Sequence, residues 1–218
     1  IIIDECHRAN FFPIIKMFPE ATILGCSATP SHKDLHKYYS DIVANVQVSD
    51  LINQGYLCRA RSYQMQDSFD DVKVKGGEFE EKSLFNHMNK PKLYDGVVKS
   101  YQEKTPNQKA LVFNVSIEHA HKTNDAFLAE GISSRCVTSE TSPEEREKIF
   151  NDFRAGNFKV LNNVSIATQG IDIPDITTIL MNRPTLSLTL FLQCIGRGSR
   201  PTETKKESVG PASPCTEV

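Results

Sequence analysis

The sequence has 218 residues, 39% of them hydrophobic and 24% charged, with a formal net charge of −2. That is enough chain for one large or two small domains with a real core. The mildly acidic balance excludes a histone-like basic binder while leaving room for nucleic-acid contact through a local groove. No apolar run approaches the roughly 18 residues that span a bilayer, and the opening "IIIDECH" lacks a basic n-region, so no signal peptide and no membrane partner are expected and the setting is read as cytoplasmic. Cys6, Cys26, Cys58, Cys136, Cys194 and Cys215 form no CxxC pair and no Cys/His cluster at zinc spacing. They are expected to be reduced thiols, without a structural metal site.

Apolar runs alternate with helical patterns almost throughout. Residues 1–3 are a short apolar run, 8–18 a helical pattern interrupted by Pro13, 22–26 a strand, 32–39 a helix and 42–48 a further strand. A short helix from Ser49 is closed by Gly55, and an extended stretch starts at Tyr56. Gly76-Gly77 marks a turn, and helical patterns over 80–88 and 92–103 flank Pro91. A strand over 109–114 precedes a helix over 116–130, with Ser116 as N-cap and Gly131 as its stop. After a strand over 133–138, "SPEEREKIFNDFRAG" carries Ser142 at the N-cap, Pro143 at the first helical position, Glu145 as capping-box partner and Gly156 as stop. Ile149, Phe150 and Phe153 supply its buried face. Strands over 158–163 and 176–181 and a helix over 187–195 complete the pattern. Such alternation predicts an α/β fold with a parallel sheet covered on both faces. Ligand sites in such folds lie at the carboxyl ends of strands, which directs attention to the residues just after each apolar run. The tail from Thr202 is rich in Ser, Thr, Pro, Glu and Lys and is expected to be disordered.

Four stretches could carry chemistry. Asp4-Glu5 ends an apolar run, where an Asp can hold Mg2+ on a nucleotide's phosphates and a neighbouring Glu can orient or deprotonate the attacking water. "GCSATP" at 25–30 offers the hydroxyls of Ser27 and Thr29. "VSIATQGIDIP" at 164–174 sets a Thr, a Gly and an Asp between two strands, with Gly170 permitting close backbone approach. "QCIGRGSR" at 193–200 places Arg197 and Arg200 three apart, suited to a phosphate and to charge developing in phosphoryl transfer. Taken singly, these stretches read equally as an acidic turn, a capping loop, a βα turn and a solvated basic loop. Their order and spacing carry more than any one of them.

The order resembles the superfamily 2 helicases of the DEAD/DEAH-box group, in bacterial and phage form. "DECH" (4–7) resembles motif II, "SAT" (27–29) motif III, "LVFNVSIEHA" (111–120) motif IV, "ATQGIDIP" (167–174) motif V and "QCIGRGSR" (193–200) motif VI. "DLINQGYL" (50–57) is similar to the segment joining two RecA-like lobes. The resemblance implies an α/β fold of two RecA-like parallel-sheet lobes. Residues 1–55 would be the C-terminal part of lobe 1, 56–75 the inter-lobe linker, 76–201 lobe 2 and 202–218 the tail. It implies ATP and Mg2+ as cofactors and nucleic acid as partner, DNA favoured over RNA. By the same resemblance Asp4 is the Mg2+ carboxylate and Glu5 the catalytic base or water-orienter. His7, Ser27, Thr29, Asp172 and Gln193 serve ATP binding and coupling. Arg197 and Arg200 reach the γ-phosphate as arginine fingers, and Thr168 and Gly170 meet the nucleic-acid backbone. The phosphate loop GxxxxGK[ST] occurs nowhere in the 218 residues. The chain is therefore expected to be an internal piece of an ATP-dependent helicase or translocase, ATPase-deficient by itself. The alternatives are a non-catalytic nucleic-acid-binding piece and the motor portion of a restriction or helicase–nuclease enzyme.

Overall fold

The computed structural model describes residues 1–6, 11–27, 35–63, 67–164, 173–202, 205 and the backbone of 207–210. The chain divides into two compact units, 1–47 and 48–218.

In the first unit, β1 (Ile2–Ile3) and β2 (Leu24–Gly25) pair in parallel, Ile2 opposite Leu24 and Ile3 opposite Gly25. Helix α1 (Phe12–Lys16) carries Pro13 in its first turn. The proline therefore opens this helix rather than interrupting it, since an N–H there would have no intrahelical acceptor in any case. A single 3₁₀ turn covers Leu35–Lys37. The strand expected over 42–48 is not formed. Residues 41–47 have no regular structure, and Ile42, Val43 and Val46 are exposed. A β-branched run becomes a strand only where a neighbouring strand takes up its hydrogen bonds.

The second unit opens with α2 (Val48–Asn53), closed by Gly55 at φ +80°. It is built on a six-stranded, wholly parallel sheet in the order β3-β10-β9-β6-β8-β7. The strands are β3 (Arg59–Ser62), β6 (Ala110–Asn114), β7 (Ser134–Val137), β8 (Val160–Asn163), β9 (Thr178–Asn182) and β10 (Glu207–Gly210). A separate antiparallel hairpin, β4 (Val74–Lys75) and β5 (Glu78–Phe79), turns through Gly76 and Gly77, both at positive φ as a two-residue hairpin turn requires. The helices are α3 (Glu81–Met88), α4 (Pro91–Lys104), α5 (Ile117–Ala129), α6 (Pro143–Ala155) and α7 (Leu188–Gly196).

Every residue of β6 is buried, as a central strand covered on both faces demands. Its alternation assigns the two faces. Leu111 and Phe113 pack with Ile149 and Phe153 of α6 and Cys194 of α7. Ala110 and Val112 pack with Val97, Val98 and Tyr101 of α4 and Phe127 of α5. A third cluster joins Val72, Leu84, Met88 and Val115, with Phe69, Phe79 and Phe85 against it. Helix α6 forms as its local chemistry dictates: Ser142 Oγ accepts from Glu145 N–H at 3.2 Å, and Gly156 ends the helix in the left-handed region at φ +81°.

The tail from Thr202, expected to be disordered, is paired in its described part. The stretch after Thr202 contributes strand β10, paired in parallel with β3 on one side and β9 on the other. Only Val209 among its four residues is apolar, so no hydrophobic pattern announces the strand; backbone pairing with two neighbours makes it.

Candidate functional site

In the first unit, the β1–β2 pairing brings two separated motifs to one edge. Cys26 N–H donates to Ile3 O at 2.8 Å and Cys6 N–H to Cys26 O at 3.1 Å. Asp4 and Glu5 therefore leave β1 at the same end at which Ser27 leaves β2, the carboxyl edge of a parallel pair. Asp4 is exposed and its Oδ1 accepts from Glu5 N–H at 2.8 Å. Glu5 adopts φ +49°, an uncommon left-handed conformation for a non-glycine residue that turns the chain sharply after the strand. Cys6 is buried and its thiol pKa is raised by desolvation, and desolvation likewise raises the hydroxyl of the neighbouring, half-buried Tyr39. Gly25 is the position where backbone meets a close partner: an added Cβ would lie 2.6 Å from the Tyr39 ring. Nothing in the sequence pattern pointed to Tyr39.

In the second unit, α7 presents Gln193 on a half-buried face, and Cys194, one residue on, enters the core. Burial pushes the Cys194 thiol up to about 12 against the pull of Arg183 and Arg197. Ser187 Oγ caps the helix by accepting from Leu190 N–H at 3.3 Å. Arg197 is the C-cap and stays in the helical region, with its N–H on Cys194 O at 3.2 Å. Gly198 then packs against β9, where an added Cβ would lie 2.7 Å from Ile179 Cγ1. Gly196 has open space at the same test, so only one of the two glycines serves close packing. Ser199 O accepts from Cys58 N–H at 2.7 Å, just ahead of β3. Lys205 is buried, its Nζ donating to Pro174 O at 3.1 Å and to Ile176 O, and burial lowers its pKa. Arg197 and Arg200, both half-buried, are thus held by a loop tied to β3, to the approach to β9 and to β9 itself.

That loop lies beside the beginning of β9, because α7 runs back along the strand it follows and returns the chain to the amino edge of the sheet. Here the expectation of a carboxyl-edge site does not describe the arginine pair. A buried amide ladder instead starts at the carboxyl edge of this sheet, with Asn114 and Asn182, and runs diagonally inward through Asn162 to Ser134 at the start of β7. Asn162 Nδ2 donates to Ser134 Oγ at 2.9 Å, Asn114 Nδ2 to Asn162 Oδ1 at 3.3 Å, and Asn182 Nδ2 to Asn114 Oδ1 and to Thr123 Oγ1, both at 3.0 Å. Sequence reasoning missed the ladder, although asparagine at or beside the end of β6, β8 and β9, three neighbouring strands, was a signal in plain view.

His7, Thr29, Thr168, Gly170 and Asp172 lie outside the described residues. Among the described residues no group of three or more His, Cys, Asp or Glu side chains could hold a metal ion, and no helix is long and apolar enough to cross a membrane. Asp4 offers a hard carboxylate oxygen at an exposed strand end, which fits a Mg2+ that keeps most of its water.

Residues 90–202 match the helicase conserved C-terminal domain. The chain is 32% identical over 217 residues to IRC3 of Saccharomyces cerevisiae, named as a candidate ATP-dependent helicase, covering 92% of this chain and 32% of that protein. It is 31% identical over 210 residues to a 51.5 kDa protein of a Lactococcus phage, covering 92% of this chain and 46% of that protein. The chain thus spans 32% and 46% of the length of these two relatives. In three dimensions it resembles a fragment of a candidate HsdR subunit of a type I restriction enzyme from Vibrio vulnificus, with a TM-score of 0.76 and 22% identity over 99% of this chain and 44% of that one.

Proposed function

The chain belongs to the family of helicase conserved C-terminal domains, and from that premise we propose that it is part of an ATP-dependent nucleic-acid motor of superfamily 2, of the DEAD/DEAH-box type. In this reading Asp4 holds Mg2+ on the phosphates of ATP and Glu5 orients or deprotonates the attacking water. Bound Mg2+ supplies charge neutralisation on the phosphates. Arg197 and Arg200 stabilise the charge that develops on the γ-phosphoryl group. His7, Ser27, Thr29, Asp172 and Gln193 bind the nucleotide and couple its turnover to lobe movement. Thr168 and Gly170 touch the nucleic-acid backbone, with DNA the favoured strand. Such backbone contacts depend little on sequence and are compatible with a mildly acidic chain. The lobe boundaries are proposed at 1–55 and 76–201, joined by 56–75, whereas the compact units divide after Gln47.

The observation that carries the reading is the convergence of Asp4, Glu5 and Ser27 at one strand edge, in a chain with the helicase C-terminal domain downstream. The test is ATP hydrolysis by the full-length protein, with single-stranded DNA or RNA added. Stimulation by nucleic acid is expected, together with a fall of at least about a hundredfold in Glu5→Gln and in Arg197→Ala. Normal turnover by Glu5→Gln would remove the role given to Glu5. Stimulation by RNA alone would reverse the preference for DNA.

A second reading, the motor portion of a restriction enzyme, is supported by the likeness to the HsdR fragment along nearly the whole chain. It requires a nuclease domain on the same polypeptide, and ATP-dependent cleavage of DNA by the full-length protein is its assay.

A further inference from the structure

Helix α7 has a strut at its amino end that the sequence motifs do not contain. The Glu78 carboxylate, on the β4–β5 hairpin, accepts from the Thr185 hydroxyl through Oε2 and from Leu186 N–H through Oε1 at 3.0 Å. The same Oε1 accepts from Phe79 N–H at 2.8 Å. Thr185 Oγ1 in turn accepts from Ser187 N–H at 3.0 Å, and Ser187 is the N-cap of α7. A carboxylate therefore organises the last three residues before the helix, at the end where the helix dipole favours negative charge. These bonds hold its pKa below the usual carboxylate value in spite of partial burial.

The hairpin is itself rigidly mounted. Glu80 N–H donates to Lys73 O at 2.8 Å, Lys73 N–H to Ser83 Oγ at 3.0 Å, and the Phe79 ring lies 5.7 Å from the Phe69 ring, centroid to centroid. Phe79 packs on the cluster of Val72, Leu84 and Met88. Glu78 thus joins a fixed body to the start of a nine-residue helix whose C-cap is Arg197. A helix is stiff along its axis, so a shift at its first residue is carried to its last.

We propose that Glu78 is a positioning residue for Arg197: through Thr185 and Leu186 it sets the placement of α7, and with it the guanidinium that serves ATP hydrolysis. The proposal rests on the phosphate role given to Arg197 above.

The test compares Glu78→Ala, Glu78→Gln and Arg197→Ala in the full-length protein by nucleic-acid-stimulated ATP turnover, with hydrogen exchange on α7. Glu78→Ala is expected to lower kcat roughly tenfold or more with KM for ATP changed less than about threefold, since displaced transition-state contacts fall on kcat. Glu78→Gln, which keeps the shape and one acceptor oxygen, should recover part of that loss. Exchange should rise over 188–196 in Glu78→Ala and stay unchanged in α4 and α5. In an Arg197→Ala background, Glu78→Ala should add little further loss of kcat. Wild-type kcat in both Glu78 variants, alongside a collapse in Arg197→Ala, would overturn the role of Glu78 and leave the functional reading standing. Wild-type kcat in Arg197→Ala would instead overturn the reading on which the proposal rests. A full additional loss from Glu78→Ala in the Arg197→Ala background would show that Glu78 acts on something other than Arg197.

Discussion

Gly198 and Ile179 touch so closely that a methyl group on the glycine would lie 2.7 Å from Ile179 Cγ1 and 3.2 Å from its Cδ1. Ile179 is buried in a central strand and cannot swing aside. Gly198→Ala must therefore lift the loop that carries Arg197 and Arg200. Overpacking of this kind costs about 1–3 kcal/mol, and urea unfolding should register it. Ile179→Val in the same chain should restore part of the loss, because it removes the Cδ1 methyl from the contact.

The amide ladder fails at its middle. Asn114→Leu removes the donor to Asn162 Oδ1 and one acceptor of Asn182 Nδ2 in a buried setting. Each group left without its partner costs roughly 1–3 kcal/mol. Equilibrium unfolding should also show that Asn182→Leu is less than additive with Asn114→Leu, since the two changes break one shared bond.

His119 makes the fold acid-sensitive. The ring is buried, its Nδ1 accepts from Val115 N–H at 3.3 Å, and burial, with nearby Lys122, lowers its pKa to about 4. The folded chain thus refuses a proton that the unfolded chain accepts at about 6.5. Stability from this group is complete above pH 6.5, declines as the pH falls, and is lost by about pH 4, a change of roughly 3 kcal/mol. Urea midpoints across that range should fall more steeply in the wild type than in His119→Gln.

Lys205 is a buried cation whose Nζ bonds link two carbonyls ahead of β9. Lys205→Met keeps the apolar stem and withdraws both donors. A loss of about 2 kcal/mol is expected, with faster hydrogen exchange at Thr177 and Thr178 as the local readout.

What was legible in the sequence was what local chemistry settles. Ser142, Pro143 and Gly156 delimit α6 because each satisfies or removes a backbone group on the spot. The apolar run of 110–113 reads as a buried strand because four consecutive apolar residues call for cover on both faces, and all four are buried. What was not legible depends on distant partners. Ile42, Val43 and Val46 have strand composition without a strand to join, whereas Glu207–Gly210 has almost no apolar content and finds two. The acidic pair and Ser27 were recognisable from spacing, and β1–β2 pairing explains their proximity. Glu78 was invisible, because its partner Thr185 is 107 residues away and a lone glutamate beside Gly-Gly reads as a turn. The sequence singles out the arginine pair but not its edge of the sheet, since only the direction of α7 decides that edge.

Strand β10 sits between β3 and β9, so among the described residues β3 has no other neighbour in the sheet. During synthesis β3 emerges early and then waits, unpaired, for residues far downstream to fill the gap beside it. The sheet's interior from β9 to β7 can assemble first, as those strands pair among themselves. A chain ending before Glu207 would keep those pairings and leave β3 without its partner strand.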